Sequence, residues 1–242
     1  MIHAEQRGPV AVVTIDRPQR RNAVDHEALE GLASAIAAAT DGPTRALVLT
    51  GAGGHFCAGA DLTGVEDSGF VTLLRAVLDA LHEAPFPTIA AIEGAAMGAG
   101  VQLAVACDLR TATPDVRLGV PAGKLGLCVD HWTVQRVAAV AGDATARALL
   151  LAAEVLSGSD AHRLGVVQRL CDLEGAVAWA GEIAELAPLS VQAHKIMLNR
   201  LEPSPADDAE VAAARQRAWS SADLQEGLAA FRERRSPTFR GE

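Results

Sequence analysis

The sequence predicts an α/β fold from three features. Short apolar runs of strand length alternate with longer stretches of helical period; glycine-rich loops directly follow two of those runs; and the last third of the chain turns almost wholly helical. The 242 residues, half of them hydrophobic, are enough for one large core or a core plus a smaller appendage. The expected organisation is a core over residues 1–185 followed by a helical segment over residues 186–242.

Pro9 to Asp16 (PVAVVTID) reads as a buried strand, and Asp25 to Ala38 as a helix with Leu29, Leu32 and Ile36 on one face. Ala46 to Thr50 (ALVLT) is a second strand, followed by the loop GAGGHFCAGAD at 51–61. Leu73, Leu74, Val77, Leu78 and Leu81 mark a helix that must end near Pro85 and Pro87. Thr88 to Ile92 is a third strand and runs into Gly94 and a helical stretch, Met97 to Ala106. Strands alternating with helices at this spacing imply crossover connections. Beyond residue 132 only the apolar stretch near Val166 to Leu170 interrupts the helical pattern. Ala176–Leu186, Val191–Leu201 and Asp207–Trp219 read as helices separated by Pro188, Pro203 and Pro205. The closing basic run, Arg232, Arg234, Arg235 and Arg240, reads as a solvated helix end.

A formal charge of −9 argues against a nucleic-acid partner, because phosphate binding needs clustered positive charge. The longest charge-free runs, Ala46–Ala60 and Gly94–Cys107, are glycine-rich and fall short of the about 20 apolar residues a membrane span needs. The start, MIHAEQRGP, lacks the pattern of a signal peptide, so the cytoplasm is the expected compartment and disulfides are not expected. Cys57, Cys107, Cys128 and Cys171 are widely spaced without a CxxC pair; buried thiols rather than metal or redox sites are expected, and no metal or covalently bound cofactor is indicated.

Two segments carry a chemical signal, Gly51-Ala-Gly-Gly-His-Phe-Cys-Ala-Gly-Ala-Asp61 and Ile92-Glu-Gly-Ala-Ala-Met-Gly-Ala-Gly-Val-Gln102. Small residues admit a ligand close to the backbone, and amides at a helix start favour negative charge. Spacing alone leaves two readings open, a clamp for an oxyanion or tight packing after a strand.

HFCAGADL at 55–62 and AAIEGAAMGAGVQLAVACDLR at 90–110 resemble the crotonase, or enoyl-CoA hydratase/isomerase, family. The resemblance extends to Ile15-Asp-Arg-Pro, Arg21-Asn-Ala, Gly119-Val-Pro with Leu125-Gly126, and Val134-Gln-Arg136, and covers roughly residues 5 to 240. It implies a spiral of ββα units, a C-terminal helical segment that mediates trimers or dimers of trimers, and a coenzyme A thioester as ligand. It further implies an oxyanion hole made by the amides of Ala60 and Ala99, with Asn22, Ala23, Ala58, Gly59, Asp61, Leu62, Gly98, Gln102, Pro121 and Ala122 around the substrate.

The same resemblance exposes a departure. Hydration of an enoyl thioester needs a carboxylate just past the second glycine motif and another after a proline about 20 residues later; these positions hold Gln102 and Ala122. Gln orients water but takes no proton, and Ala does neither. In this the chain resembles the degenerate enoyl-CoA hydratase-like proteins of mycobacteria that lack both glutamates. The expected function is acyl-CoA binding in fatty-acid metabolism with little or no hydratase activity. One rival is an active enzyme that uses Asp130, which falls where a dehalogenase branch carries its nucleophile, with an ordered water; the plainer role for Asp130 is a helix N-cap. A second rival is an interaction protein with a vestigial pocket. Other expectations are modest: His55 faces solvent, Asp61 orders its loop, Lys124 and Arg21 are surface charges, and Cys57 and Cys107 are inert.

Overall fold

Apolar runs without alternation make strands covered on both faces, and the central sheet uses them in that way. The computed structural model describes residues 1–61, 68–201, 216 and 219–240. In chain order the elements are β1 (Ile2–Arg7), β2 (Val10–Ile15), α1 (His26–Asp41), β3 (Ala46–Gly51), α2 (Ser68–Glu83), β4 (Thr88–Ile92), β5 (Ala95–Met97), α3 (Ala99–Ala106), β6 (Leu109–Ala112) and β7 (Arg117–Gly119). They continue with α4 (His131–Ala141), α5 (Asp143–Leu151), β8 (Val155–Leu156), α6 (Gly158–Arg163), β9 (Arg169–Leu170), α7 (Leu173–Ala184), α8 (Pro188–Asn199) and α9 (Ala222–Glu233). The chain forms two compact units, Met1–Leu118 with Leu156–Leu201, and Gly119–Val155 with Glu202–Glu242.

In the first unit a six-stranded sheet runs β1-β2-β3-β4-β6-β9; β1 pairs antiparallel with β2 and the other pairings are parallel. Parallel strands need covered faces. Val10, Val12, Ala46, Val48, Ile89 and Ala91 pack on one face against Ala176 and Ala180 of α7. The intervening residues Ala11, Val13, Leu47, Leu49 and Ala90 are equally buried, as strand alternation requires of a sheet covered on both sides. Helix α1 starts on Asp25, whose carboxylate accepts the Ala28 N–H, and buries Leu29, Leu32 and Ile36, as its spacing predicts. A smaller sheet has the order β5-β7-β8.

Three elements differ from the sequence expectation. The polar strand β1 has four exposed residues out of six and carries no apolar signal; it is held by its register with β2. Met97 closes β5 instead of opening a helix, and α3 begins at Ala99. Leu109–Ala112 forms a strand despite Arg110, because that buried guanidinium is satisfied by the carbonyls of Val166, Ala104, Cys107 and Asp108. The expected helix over Asp207–Trp219 lies outside the described residues apart from 216 and 219.

In the second unit α9 packs onto the 3-10 turn Pro121–Leu125, close enough that a Cβ on Gly227 would lie 2.4 Å from the Leu125 carbonyl oxygen. No helix among the described residues is long and apolar enough to cross a membrane.

Helix α8 is tied to the first unit by a buried cation. Lys195, 7% exposed, donates from Nζ to Asp108 Oδ2 at 2.7 Å and to the carbonyls of Phe86 and Leu81. The same Asp108 oxygen accepts the N–H and hydroxyl of Thr88. Removing one partner of such a pair leaves the other charge buried. Lys195→Ala is therefore expected to lower unfolding stability by about 3 kcal/mol in a urea titration; a loss within experimental error would contradict this account of the pair.

Candidate functional site

Two loops leave the carboxyl ends of the neighbouring parallel strands β3 and β4, the edge at which open α/β sheets place their ligands. The first loop, residues 51–61, is pinned from both sides. Towards the second loop, Phe56 N–H donates to the Glu93 carbonyl, Cys57 N–H to Ala95, and Cys57 accepts from Met97 N–H. On the other side, Ala58 N–H donates to Arg21, Val24 N–H to Gly59, and Asp61 N–H to Val24. Val24 and Ala60 thus form a parallel bridge in which Val24 uses Gly59 and Asp61. Ala60's own N–H, trans to the Gly59 carbonyl across their shared peptide, consequently points away from Val24.

Helix α3 starts beside that position. Gly98 is its N-cap, with φ 52° and no side chain to cap the first turn, and Ala99 is the first helical residue. The amides of a first turn have no partner within the helix, and the helix dipole adds partial positive charge there. Gly59 has φ 121°, and a Cβ built on Gly98 would stand 4.0 Å from the Gly59 Cα, so the two chains run side by side. Both conformations are open to glycine and costly for other residues.

The turn before α1 supports the first loop. Asn22, fully buried with φ 59°, accepts the Arg17 N–H on Oδ1 and donates from Nδ2 to the carbonyls of Ala52 (2.8 Å) and His55 (2.5 Å). Arg17 donates to the Ala23 carbonyl and pairs with Asp25, and Asp61 lies 3.8 Å from the same guanidinium. His55 is not simply solvent-facing: its Nδ1 accepts the Ala95 N–H at 3.2 Å, which fixes that ring nitrogen as an acceptor.

Of the residues expected at the site, Asn22, Ala23, Ala58, Gly59, Ala60, Asp61, Gly98, Ala99 and Gln102 are brought together in the first unit by these contacts. Gln102, 8% exposed, is one turn along α3 from Ala99. Pro121 and Ala122 open the 3-10 turn of the second unit, and Leu62 lies outside the described residues. Asp130 is the N-cap of α4, accepting the Thr133 N–H at 2.9 Å. Lys124 and Arg21 are exposed. Arg17 was missed by sequence reasoning; an Arg directly after a strand looks like any surface cation, and only its three neighbours reveal its place. Among the described residues, no group of three His, Cys, Asp or Glu side chains is placed to hold a metal.

These features define an α/β protein whose candidate small-molecule site is built from backbone amides at the ends of two parallel strands. The chain belongs to the enoyl-CoA hydratase/isomerase (crotonase) family, whose model matches residues 5–242. A probable enoyl-CoA hydratase, echA6, of Mycobacterium bovis is 41% identical over the full length of both chains. Among solved structures, EchA1_1 of Mycobacterium paratuberculosis has a TM-score of 0.85 at 33% identity, covering 100% of this chain and 98% of that one. A methylmalonyl-CoA decarboxylase in complex with 2-nitronate-propionyl-CoA has a TM-score of 0.92 over 100% of this chain and 98% of that one; at 22% identity the likeness concerns the fold.

Burial pushes the thiols of Cys57 and Cys107 up to about 12. The folded chain thus holds two protons that the unfolded chain releases above an ordinary thiol value of 9.0. The stability they contribute is fully present below pH 9 and is lost as pH rises towards 12, at about 1.4 kcal/mol per pH unit for each thiol. Urea midpoints measured from pH 8 to 11 are expected to fall more steeply for the native sequence than for a Cys57→Ala/Cys107→Ala variant; parallel slopes would contradict the thiol assignment.

Proposed function

We propose that this protein holds the thioester carbonyl of an acyl-CoA between the N–H groups of Ala60 and Ala99 and serves fatty-acid metabolism as a binder or carrier, with little or no hydration of the bound acyl chain. The observation that supports this reading is the close approach of the glycines that precede the two alanines: a Cβ built on Gly98 would stand 4.0 Å from the Gly59 Cα. The bridge to Val24 leaves Ala60 N–H facing away from Val24, and Ala99 is the first residue of a helix without a side-chain cap. Two such donors polarise a carbonyl and stabilise an enolate by about 3–4 kcal/mol each in comparable enzymes. Family membership supports a CoA thioester as the ligand.

Chemistry beyond binding needs a proton acceptor and a proton donor near the α- and β-carbons. The family resemblance aligns Gln102 and Ala122 in sequence with the two glutamates of a hydratase. A positioned acid or base contributes about 10²–10⁴ in rate, so losing both leaves hydration slow. The rival reading, an enzyme driven by Asp130, has against it that this carboxylate is engaged in capping α4. The family precedent also leads us to propose a homotrimer or a dimer of trimers.

Calorimetric titration with a saturated acyl-CoA is expected to show binding, and a matching trans-2-enoyl-CoA is expected to keep its conjugated absorbance in the presence of the protein. Ala99→Pro tests the Ala99 donor, because proline is well tolerated at a first helical position and carries a ring Cδ in place of the N–H. It is expected to weaken acyl-CoA binding about tenfold or more while leaving free CoA binding unchanged. Gln102→Glu with Ala122→Glu is expected to raise hydration by at least about 10². Turnover by the native chain that disappears in Asp130→Asn would overturn the carrier reading, and no acyl-CoA binding at all would overturn both.

A further inference from the structure

Ala60 reaches the site through a bridge to Val24, and one guanidinium touches both sides of that bridge. Arg17, with a side chain 16% exposed, donates to the carbonyl of Ala23 and pairs with the carboxylate of Asp25, the residues before and after Val24. It also stands 3.8 Å from Asp61, the residue after Ala60, whose side chain is 12% exposed. Arg17 is itself held through its backbone N–H, which donates to Asn22 Oδ1, and Asn22 in turn grips the carbonyls of Ala52 and His55. The segments 17–25 and 51–61 are therefore locked by neutral hydrogen bonds at one end and by an ionic bridge at the end next to Ala60.

This arrangement does two things at the Ala60 peptide. It braces the bridge beside that peptide, because Ala23 and Asp25 are bound by one planar, five-donor group that stands 3.8 Å from Asp61. It also neutralises Asp61, a little-exposed carboxylate one residue from an amide that must favour negative charge; left unpaired, it would oppose charge building on a bound carbonyl oxygen. We propose that Arg17 is a positioning residue for thioester binding, setting the direction of the Ala60 N–H and cancelling the field of Asp61. The proposal rests on the two-amide reading given above. Lysine at this position would keep the charge but not the fork, since an ammonium is a single point donor.

The test uses the full chain and a chromophoric thioester, 4-dimethylaminocinnamoyl-CoA, whose absorption moves to the red when its carbonyl is polarised. Arg17→Ala is expected to bind this thioester within about tenfold of the native affinity, because the CoA portion makes its own contacts, yet to lose at least half of the red shift at saturation. Arg17→Lys is expected to restore part of it, and Asp61→Asn to lose less than Arg17→Ala. A purely structural role would change affinity or unfolding midpoint and leave the spectrum of the bound ligand unmoved; that result overturns the proposal. Should Arg17→Ala fail to fold, Arg17→Lys and Asp61→Asn decide, and an unchanged red shift in both overturns it. A native complex that binds the thioester without any red shift would sink the two-amide reading and this proposal with it, whereas a native shift kept by every variant sinks the Arg17 role alone.

Discussion

The Cys57 peptide sets the distance between the two halves of the site. Its N–H donates to Ala95, its carbonyl accepts from Met97, and the same carbonyl lies where a Cβ on Gly100 would come within 2.2 Å of it. Helix α3 can approach only because residue 100 has no side chain, and it can retreat only by breaking hydrogen bonds to β5. Ala60 is three residues beyond Cys57 on one side, and Ala99 directly precedes Gly100 on the other. The relative placement of the first loop and the start of α3 thus depends on a contact between backbones. Packed backbone of this kind has little room to drift, which a preorganised electrostatic site requires.

A site built from main-chain donors tolerates side-chain change in a way that acid-base chemistry does not. Any residue other than proline supplies an N–H, so Ala at 60 and at 99 serves as well as other small residues, provided the neighbouring Gly59 and Gly98 keep their positive φ. A carboxylate is lost with a single substitution. Gln102 retains the size and much of the hydrogen bonding of a glutamate while giving up proton transfer, and Ala122 gives up both. The proposed loss of hydration is compatible with the parallel sheet, the glycine conformations and the buried α3, none of which depends on the side chains of Gln102 or Ala122.

Legibility from sequence followed burial. β2, β3 and β4 were readable because both of their faces are covered and, one threonine in each apart, their residues are apolar or glycine; α1 and α2 were readable because each buries one stripe. β1 was not, since its outward residues are polar and it gains its place from hydrogen bonds to β2. The Leu109–Ala112 strand was hidden by Arg110, whose burial is made tolerable only by carbonyls from residues brought together in space. At the site, the glycines marked the two loops, but spacing alone favoured packing over ligand binding; the family resemblance singled out Ala60 and Ala99. Arg17 escaped because its role depends on Asp25 and Asp61 meeting across a bridge that no local pattern announces. The cap role of Asp130, by contrast, was legible from an acidic residue directly before a helical stretch.

The two amides can be watched directly. Only five peptide bonds in the chain join a glycine to a following alanine, those ending at Ala52, Ala60, Ala95, Ala99 and Ala176. Protein carrying carbonyl-¹³C glycine and ¹⁵N alanine therefore gives five selectable amide signals. Saturation with an acyl-CoA, compared with the thioether analogue that lacks the carbonyl, is expected to move Ala60 and Ala99 downfield and to leave Ala176 in place. Equal spectra with the two ligands, both bound, would show that the carbonyl does not lie between these amides and would contradict the account.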